Sequence, residues 1–105
     1  MKDLMDSIVE KYDLKNRTWE QFVNRFDKFL LDESEESAAF GIFDRDSLDS
    51  YLESISYRII EKTGQEIIIL KVNMSYPGGS SIGFYKASFS MDGEMLEDKF
   101  FIDYN

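Results

Sequence analysis

The chain reads Glu-Ile-Ile-Ile-Leu-Lys-Val-Asn-Met from Glu66 to Met74, and this stretch decides the fold. Side chains along a β-strand point alternately to the two faces of a sheet. One face of the predicted strand therefore carries Ile68, Leu70, Val72 and Met74. The opposite face carries Ile67, Ile69, Lys71 and Asn73. Because the first set is entirely apolar, we expect it to lie in the core of the protein.

Two further strands are predicted downstream of this stretch. In residues 82–91 the residues sharing one face are Tyr85, Ala87, Phe89 and Met91. In residues 94–104 the corresponding set is Phe100, Ile102 and Tyr104. Pro77-Gly78-Gly79-Ser80 predicts the first connecting turn, and Asp92-Gly93 predicts a two-residue hairpin turn. The C-terminal half is therefore expected to be a three-stranded antiparallel β-meander.

The residues before position 66 show the helical period instead. Helices are predicted over residues 3–12, from Thr18 to about residue 31, and from Asp46 or Ser47 to Gly64. Thr18-Trp19-Glu20-Gln21 matches a capping box. The buried stripe of the last helix is expected to be Leu48, Tyr51, Leu52, Ile55 and Ile59. Residues 32–37 carry no apolar side chain and predict a loop or a frayed helical end.

These patterns predict the α+β class. About three N-terminal helices are expected to pack on one face of the C-terminal three-stranded antiparallel β-meander. A chain of 105 residues fits one domain of ordinary size, so residues 1–105 are expected to form a single domain.

The chain contains no Cys and no His. Disulfides, thiolate metal sites and cysteine nucleophiles are thereby excluded. The usual general base near neutral pH and the commonest metal ligand are missing as well. No nucleophile-elbow or Ser-x-x-Lys signature occurs. We therefore expect no enzyme activity, no cofactor and no metal site.

The sequence also bears on the surroundings in which the protein works. No apolar run approaches the roughly 18 residues of a membrane-spanning helix. The start, Met1-Lys2-Asp3-Leu4-Met5-Asp6, places acids where a signal peptide has basic and then apolar residues. The expectation is a cytoplasmic protein without membrane contact.

The charge is strongly negative and locally concentrated. The net charge is −9, from 21 acidic and 12 basic residues. Residues 32–53, here called the acidic block, hold a single basic residue, Arg45, and these acids: Asp32, Glu33, Glu35, Glu36, Asp44, Asp46, Asp49 and Glu53.

Two interpretations of the acidic block stay open. It is either a solvated face that keeps the protein soluble or a surface that occupies a basic groove on a partner, as the phosphates of DNA do. On the predicted third helix, Asp46, Asp49 and Glu53 would lie on one side. The basic residues are scattered along the sequence, so we expect no direct binding of nucleic acid.

The outer face of the predicted sheet is the other candidate surface. Its apolar residues would include Ile67, Ile69, Ile82, Phe84, Met95 and Phe101. An exposed apolar face marks an interface or a homodimer seam. The alternative is that the first helix or residues 38–43 cover this face.

In length, acidity and lack of His and Cys, the chain resembles bacteriophage anti-CRISPR and anti-restriction proteins and the immunity proteins of toxin systems. The resemblance is one of bulk properties, because no motif matches a particular family. It implies a small acidic protein that inhibits a basic, nucleic-acid-handling partner such as a nuclease, by occlusion or nucleic-acid mimicry. Two alternatives stay open. One is an immunity protein that neutralises a toxin, and the other is a structural adaptor that dimerises through its sheet.

Overall fold

The helices come first and the strands follow in a computed structural model that describes residues 2–103. The elements are α1 Lys2–Lys11, α2 Leu14–Asp32, α3 Ser34–Ala39, a short 3₁₀ turn Arg45–Ser47, β1 Asp49–Ile60, β2 Gln65–Ser75, β3 Ser81–Ser90 and β4 Met95–Ile102. The strands form one antiparallel sheet in the order β1-β2-β3-β4. The predicted α+β class, with N-terminal helices and an antiparallel sheet, is confirmed. Tyr104, assigned above to a strand face, lies outside the described residues.

The predicted third helix is wrong, because the chain from Asp49 to Ile60 is strand β1. The sheet therefore has four strands and not three. The register shifts between Leu52 and Ser54, which leaves Glu53 as an extra residue in β1. Such a bulge moves the residues that follow it to the opposite parity. Leu52 and Ile55 thus face the same side of the sheet at a spacing of three, which imitates a helical stripe.

The helical boundaries also differ from those expected. Helix α2 begins at Leu14 and not at Thr18, and Asp13 precedes it with a left-handed φ of 54°. Thr18 is buried within the helix and therefore does not cap it. The completely buried Leu14 anchors the extra turn in the core. The segment after Asp32, expected to be a loop or a frayed end, forms the short helix α3.

The core lies between the helices and one face of the sheet. The predicted inward face of β2 is confirmed, since its residues are at most 1% exposed: Ile68, Leu70, Val72 and Met74. Strand β3 adds Tyr85, Ala87 and Phe89, all fully buried. Helix α2 contributes three phenylalanines one helical turn apart, Phe22, Phe26 and Phe29. Phe100 of β4 lies within 6.4 Å of each of these rings, centroid to centroid.

The β3–β4 connection is a three-residue loop. The Ser90 amide donates to the Glu94 carbonyl at 2.8 Å, and the Gly93 amide donates to the Ser90 carbonyl at 3.0 Å. A two-residue type I′ turn requires a positive φ at both central residues. Only Gly93 meets this requirement, with a φ of 81°, because Asp13 is the one non-glycine residue with positive φ in residues 2–103. The predicted hairpin is present, but the prediction that a two-residue turn closes it is wrong.

A polar contact fixes α2 to the sheet. The buried Tyr85 hydroxyl donates to Oδ2 of Asp98 at 2.9 Å, and Arg25 Nε lies 3.5 Å from the same oxygen. Burial is the main cause that raises the pKa of Tyr85 far above the ordinary value, and the hydrogen bond to the Asp98 carboxylate adds to it. The hydrogen bond from the Tyr57 hydroxyl to Glu66 raises the pKa of Tyr57 as well.

We expect the protein to lose stability above pH 10, with Tyr85 as a main cause. The ordinary tyrosine pKa is 10.0, so an unfolded chain releases this proton at a pH where the native chain keeps it. The contribution is fully present below pH 10 and shrinks as the pH rises further, by up to about 1.4 kcal/mol per pH unit. Urea unfolding between pH 9 and pH 11.5 measures this slope.

The matched variants are Tyr85→Phe and Tyr51→Phe. Tyr85→Phe costs about 1 kcal/mol at neutral pH through the lost hydrogen bond, and its stability is expected to fall less steeply above pH 10. Tyr51 is 52% exposed, so its replacement is expected to leave the wild-type slope unchanged. Equal slopes in wild type and Tyr85→Phe would contradict the assignment.

Candidate functional site

Four members of the acidic block gather at the junction of α2 and α3. This acidic corner, as we name it, consists of Asp32, Glu33, Glu35 and Glu36, all of which are exposed. The Glu33 amide donates to the Phe29 carbonyl, and the Glu33 carbonyl accepts from the Ser37 amide, both at 2.9 Å. Residues 32–36 line one open hollow. None of the four carboxylates forms an ion pair within residues 2–103.

The helix termini act on this corner in two opposite ways. Glu35 and Glu36 lie in the first turn of α3, where negative charge is favourable. Asp32 is the last residue of α2, where the helix dipole opposes a carboxylate. The acidic corner is therefore only partly explained by helix stability.

The other four acids are also exposed, but they do not form the expected surface of one helix. Asp44 accepts a hydrogen bond from the Ser47 amide at 3.0 Å and thereby caps the 3₁₀ turn that contains Asp46. Asp49 opens β1, and Glu53 is the bulged residue of that strand. Oε2 of Glu53 lies 3.0 Å from Nζ of Lys71, so this charge is already paired. The expected helical alignment of Asp46, Asp49 and Glu53 is therefore wrong, while the role of the eight acids in partner binding stays a prediction.

The outer sheet face carries a row of lysines that the sequence analysis did not identify. Lys71 of β2 pairs directly with Lys86 of β3, and Lys86 pairs directly with Lys99 of β4. Residues paired in this way point to the same face of the sheet, so the three side chains form a line across it, here called the lysine row. Like charges directly opposite each other destabilise a sheet.

The aromatic ring of Phe84 lies beside the lysine row, and each of the three ammonium groups makes a cation–π contact with it. The ammonium groups of Lys71, Lys86 and Lys99 lie 5.3, 4.9 and 5.8 Å from the centroid of the Phe84 ring. Phe101 pairs with Phe84 across the strands, with ring centroids 5.4 Å apart. Each cation–π contact at an exposed site contributes about 0.5–1 kcal/mol, which offsets part of the repulsion.

The rest of the outer face continues in rows that follow the register. The row on the Phe84 side is Tyr51, Asn73, Phe84 and Phe101. The row on the other side is Ser56, Ile69, Ser88 and Glu97. Arg58 follows beyond it, paired with Ile67. Two shallow hollows flank the lysine row, one containing Phe84 and Phe101 and the other containing Arg58 and Glu97.

Two expectations about the outer face need correction. Met95 pairs with Phe89 and therefore faces the helices, and Ile82 is buried as part of the core. The first helix and residues 38–43 do not cover the outer face, because Val9 and Ile42 lie in the core on its other side. Three of the twelve basic residues, Lys71, Lys86 and Lys99, align on this face, and the expected lack of direct nucleic-acid binding stays a prediction. The alternation of side chains along β2 is enough to predict that Lys71 lies on this face. Its alignment with Lys86 and Lys99 is revealed only by the strand register.

The described part of the chain contains neither a cluster of metal-ligating side chains nor a candidate membrane-spanning helix. Among residues 2–103, no three acidic side chains converge in a way that holds a metal ion. No helix in that range combines the length and the apolar composition needed to cross a membrane. Comparison of the chain with known protein families, curated proteins and solved structures found no match.

Proposed function

We propose that this chain is a small acidic binding protein that inhibits a basic, nucleic-acid-handling partner. The acidic corner is the proposed centre of the contact. The observation that carries the proposal is the concentration of four exposed carboxylates within five consecutive residues, none of them paired with a basic side chain in residues 2–103. A partner's arginines and lysines would supply the missing countercharges.

The inhibition would work by occlusion. A net charge of −9 attracts a basic surface over a distance of about a Debye length, roughly 10 Å at moderate salt. Such steering accelerates association and falls as salt rises. Asp44, Asp46 and Asp49 would extend the contact, whereas Glu53 contributes less because Lys71 already pairs with it. An immunity protein would use the same contact against a toxin, so only the identity of the partner separates that alternative.

The structural adaptor alternative depends on the outer sheet face. Phe101 is 42% exposed there, but the lysine row crosses the same face. Two copies meeting face to face would have to place six ammonium groups, three from each row, near one another unless Glu97 of one copy met the lysines of the other. The homodimer stays a prediction, and sedimentation of Phe101→Glu beside wild type tests it. An equal mass for both, that of a monomer, would count against it.

The inhibitor proposal predicts that the chain binds its partner more weakly when the charges of the acidic corner are removed. The variant Glu33/Glu35/Glu36→Gln keeps the side-chain shapes and removes three charges. We expect it to bind the captured partner at least about tenfold more weakly, since each desolvated charge pair contributes roughly 1.5 kcal/mol or more. Affinity capture from a lysate at low and high salt, followed by assay of the captured enzyme with purified chain added, measures both binding and inhibition.

The matched control is Asp3/Asp6/Glu10→Gln, which removes three exposed acids from α1 and changes the net charge equally. It is expected to retain the partner, with only a modest decrease in association rate. Equal losses in both variants would indicate a net-charge effect and reject the acidic corner as the contact. A captured enzyme that keeps full activity in the presence of the chain would reject inhibition.

A further inference from the structure

The lysine row opposes the stability of the sheet. Two consecutive cross-strand pairs, Lys71–Lys86 and Lys86–Lys99, place like charges directly opposite each other on neighbouring strands. One carboxylate, that of Glu53, pairs with Lys71 in the described part of the chain. Lys86 and Lys99 have contacts to the Phe84 ring but no ion pair within residues 2–103. An anion placed over the row would turn this repulsion into attraction.

The shape of the surface limits the kind of anion. The row crosses β2, β3 and β4, which spans about 10 Å at a strand spacing of roughly 4.8 Å. The face is open and its hollows are shallow, so it suits an extended ligand better than an enclosed one. Arg58 adds a fourth positive charge beyond the row, and Glu97 is the acid that lies between them.

Aromatic side chains beside the row indicate what the rest of the ligand contains. Phe101 is 42% exposed and Tyr51 is 52% exposed, and both lie in the row next to the lysines. Exposed rings next to cations on an open sheet are the arrangement on which unpaired bases stack while phosphates meet the positive groups. An acidic peptide would form ion pairs with the lysines, but it would not provide a planar group to stack on these rings.

The edge of the sheet beside Phe101 carries mixed charge. Phe101 lies at a hollow that is lined by three acids, Asp32, Glu33 and Glu36, and by two basic residues, Arg25 and Lys28. An uncharged base can lie at such an edge, whereas the phosphates meet positive charge on the lysine row. The net charge of −9 opposes the binding of nucleic acid in general, and the lysine row supplies positive charge locally.

We propose that the outer sheet face binds a short segment of single-stranded nucleic acid, with its phosphates on Lys71, Lys86 and Lys99 and a base stacked on Phe101. The proposal goes beyond the inhibitor function and is independent of it, because the two contacts use different residues. Binding is expected to be weak and strongly dependent on salt, because few phosphates are contacted and the rest of the protein is negative.

The test is fluorescence anisotropy with a labelled oligonucleotide of about 12 nucleotides, a length within the roughly 4–16 that sheet-based single-strand binders cover. Oligo(dT) and oligo(rU) are both used. Each neutralised phosphate contributes about 0.7 to the salt slope for single strands, so three contacts predict a loss of affinity of about a hundredfold when salt rises from about 20 to 200 mM. Phe101→Ala is expected to lower the affinity about tenfold through lost stacking.

The charge variants identify the site. Lys86→Gln and Lys99→Gln are each expected to reduce the salt slope by about 0.7. Lys86→Gln removes both like-charge pairs and Lys99→Gln removes one, so folding is expected to survive. Lys15→Gln, which removes an exposed lysine from α2, is the control and is expected to bind like wild type. The acidic-corner variant Glu33/Glu35/Glu36→Gln is expected to bind the oligonucleotide at least as well as wild type, which separates this test from that of the inhibitor function.

Several outcomes would overturn the proposal. One is no anisotropy change at about 20 mM salt, where electrostatic binding is strongest. Another is equal binding by wild type and Lys86→Gln. Equal affinity for a polyglutamate peptide of the same charge would mean that the row attracts any anion. Binding of uridine monophosphate or inorganic phosphate without binding of the oligonucleotide would mean that the ligand is a small anion and not a nucleic-acid strand.

Discussion

Phe22→Ala is expected to destabilise the protein by about 3–5 kcal/mol, the usual cost of emptying a buried phenylalanine site. The Phe22 ring is 1% exposed and lies where α2 meets the sheet. Its centroid is between 5.1 and 6.4 Å from the rings of Trp19, Phe26, Tyr85 and Phe100. Two of these rings belong to β3 and β4, so the variant weakens the contact between the helical layer and the sheet. A domain of ordinary stability has about 5–15 kcal/mol to lose.

The matched control is Phe43→Ala, which makes the same chemical change at a side chain that is 71% exposed. Surface substitutions of this kind usually change stability by about 0.5 kcal/mol or less. Urea unfolding followed by tryptophan fluorescence suits both variants, because the only tryptophan of the chain, Trp19, neighbours Phe22. A loss below about 1.5 kcal/mol for Phe22→Ala would mean that the aromatic cluster is not packed as described.

The strands that alternate without interruption could be predicted from sequence. The apolar face of β2 and the Tyr85, Ala87 and Phe89 face of β3 were both placed correctly, since period-two alternation has no helical counterpart over that length. The prediction for the segment that forms β1 was wrong because the bulge at Glu53 breaks the alternation of apolar and polar residues. Its β-branched and aromatic residues, such as Ile55 and Tyr57, favour a strand, but the three-residue spacing across the bulge imitates a helix.

The candidate surfaces differ in how far sequence determines them. Residues 32–36 are neighbours along the chain, so their gathering at the acidic corner follows from sequence alone. The lysine row depends on contacts between residues that are 15 and 13 positions apart in the chain, which two strand registers determine. The β3–β4 register in turn includes an irregularity between Ser88 and Phe89 that no local pattern indicates. Single-sequence reasoning therefore finds charged segments more easily than charged faces.

The two surfaces also separate the charges of the molecule. The acids of residues 32–36 lie on the helices, whereas Lys71, Lys86 and Lys99 lie on the side of the sheet that the helices leave open. A protein with a net charge of −9 can in this way attract a basic protein with one surface and an anionic ligand with another. The two proposals are therefore compatible, and each has a variant that leaves the other contact intact.

Gly93→Ala is expected to destabilise the protein by about 2–5 kcal/mol, from two separate causes. Gly93 has a φ of 81°, where an alanine costs roughly 1–2 kcal/mol. A Cβ there would also lie 2.3 Å from Cγ of Tyr12 and 2.8 Å from its Cβ. Rotation of the Tyr12 ring cannot move its Cβ, so the backbone of the connection between α1 and α2, to which Tyr12 belongs, must shift. The Gly93 carbonyl accepts a hydrogen bond from Arg17 at 2.7 Å, which the shift would strain.

Gly64→Ala separates the two causes, because Gly64 has a similar φ of 73° and its added Cβ would meet no atom within 4 Å. Gly64→Ala is therefore expected to lower stability only by the cost of an alanine at positive φ, about 1–2 kcal/mol. The difference between the two variants in urea unfolding measures the displacement of Tyr12, expected to be about 1–3 kcal/mol. The double variant Gly93→Ala/Tyr12→Ala is expected to recover part of that difference, since it removes the ring. Equal losses for Gly93→Ala and Gly64→Ala would contradict the packing of Tyr12, in the connection between α1 and α2, against the β3–β4 loop, and with it the way the helical layer is fixed to that end of the sheet.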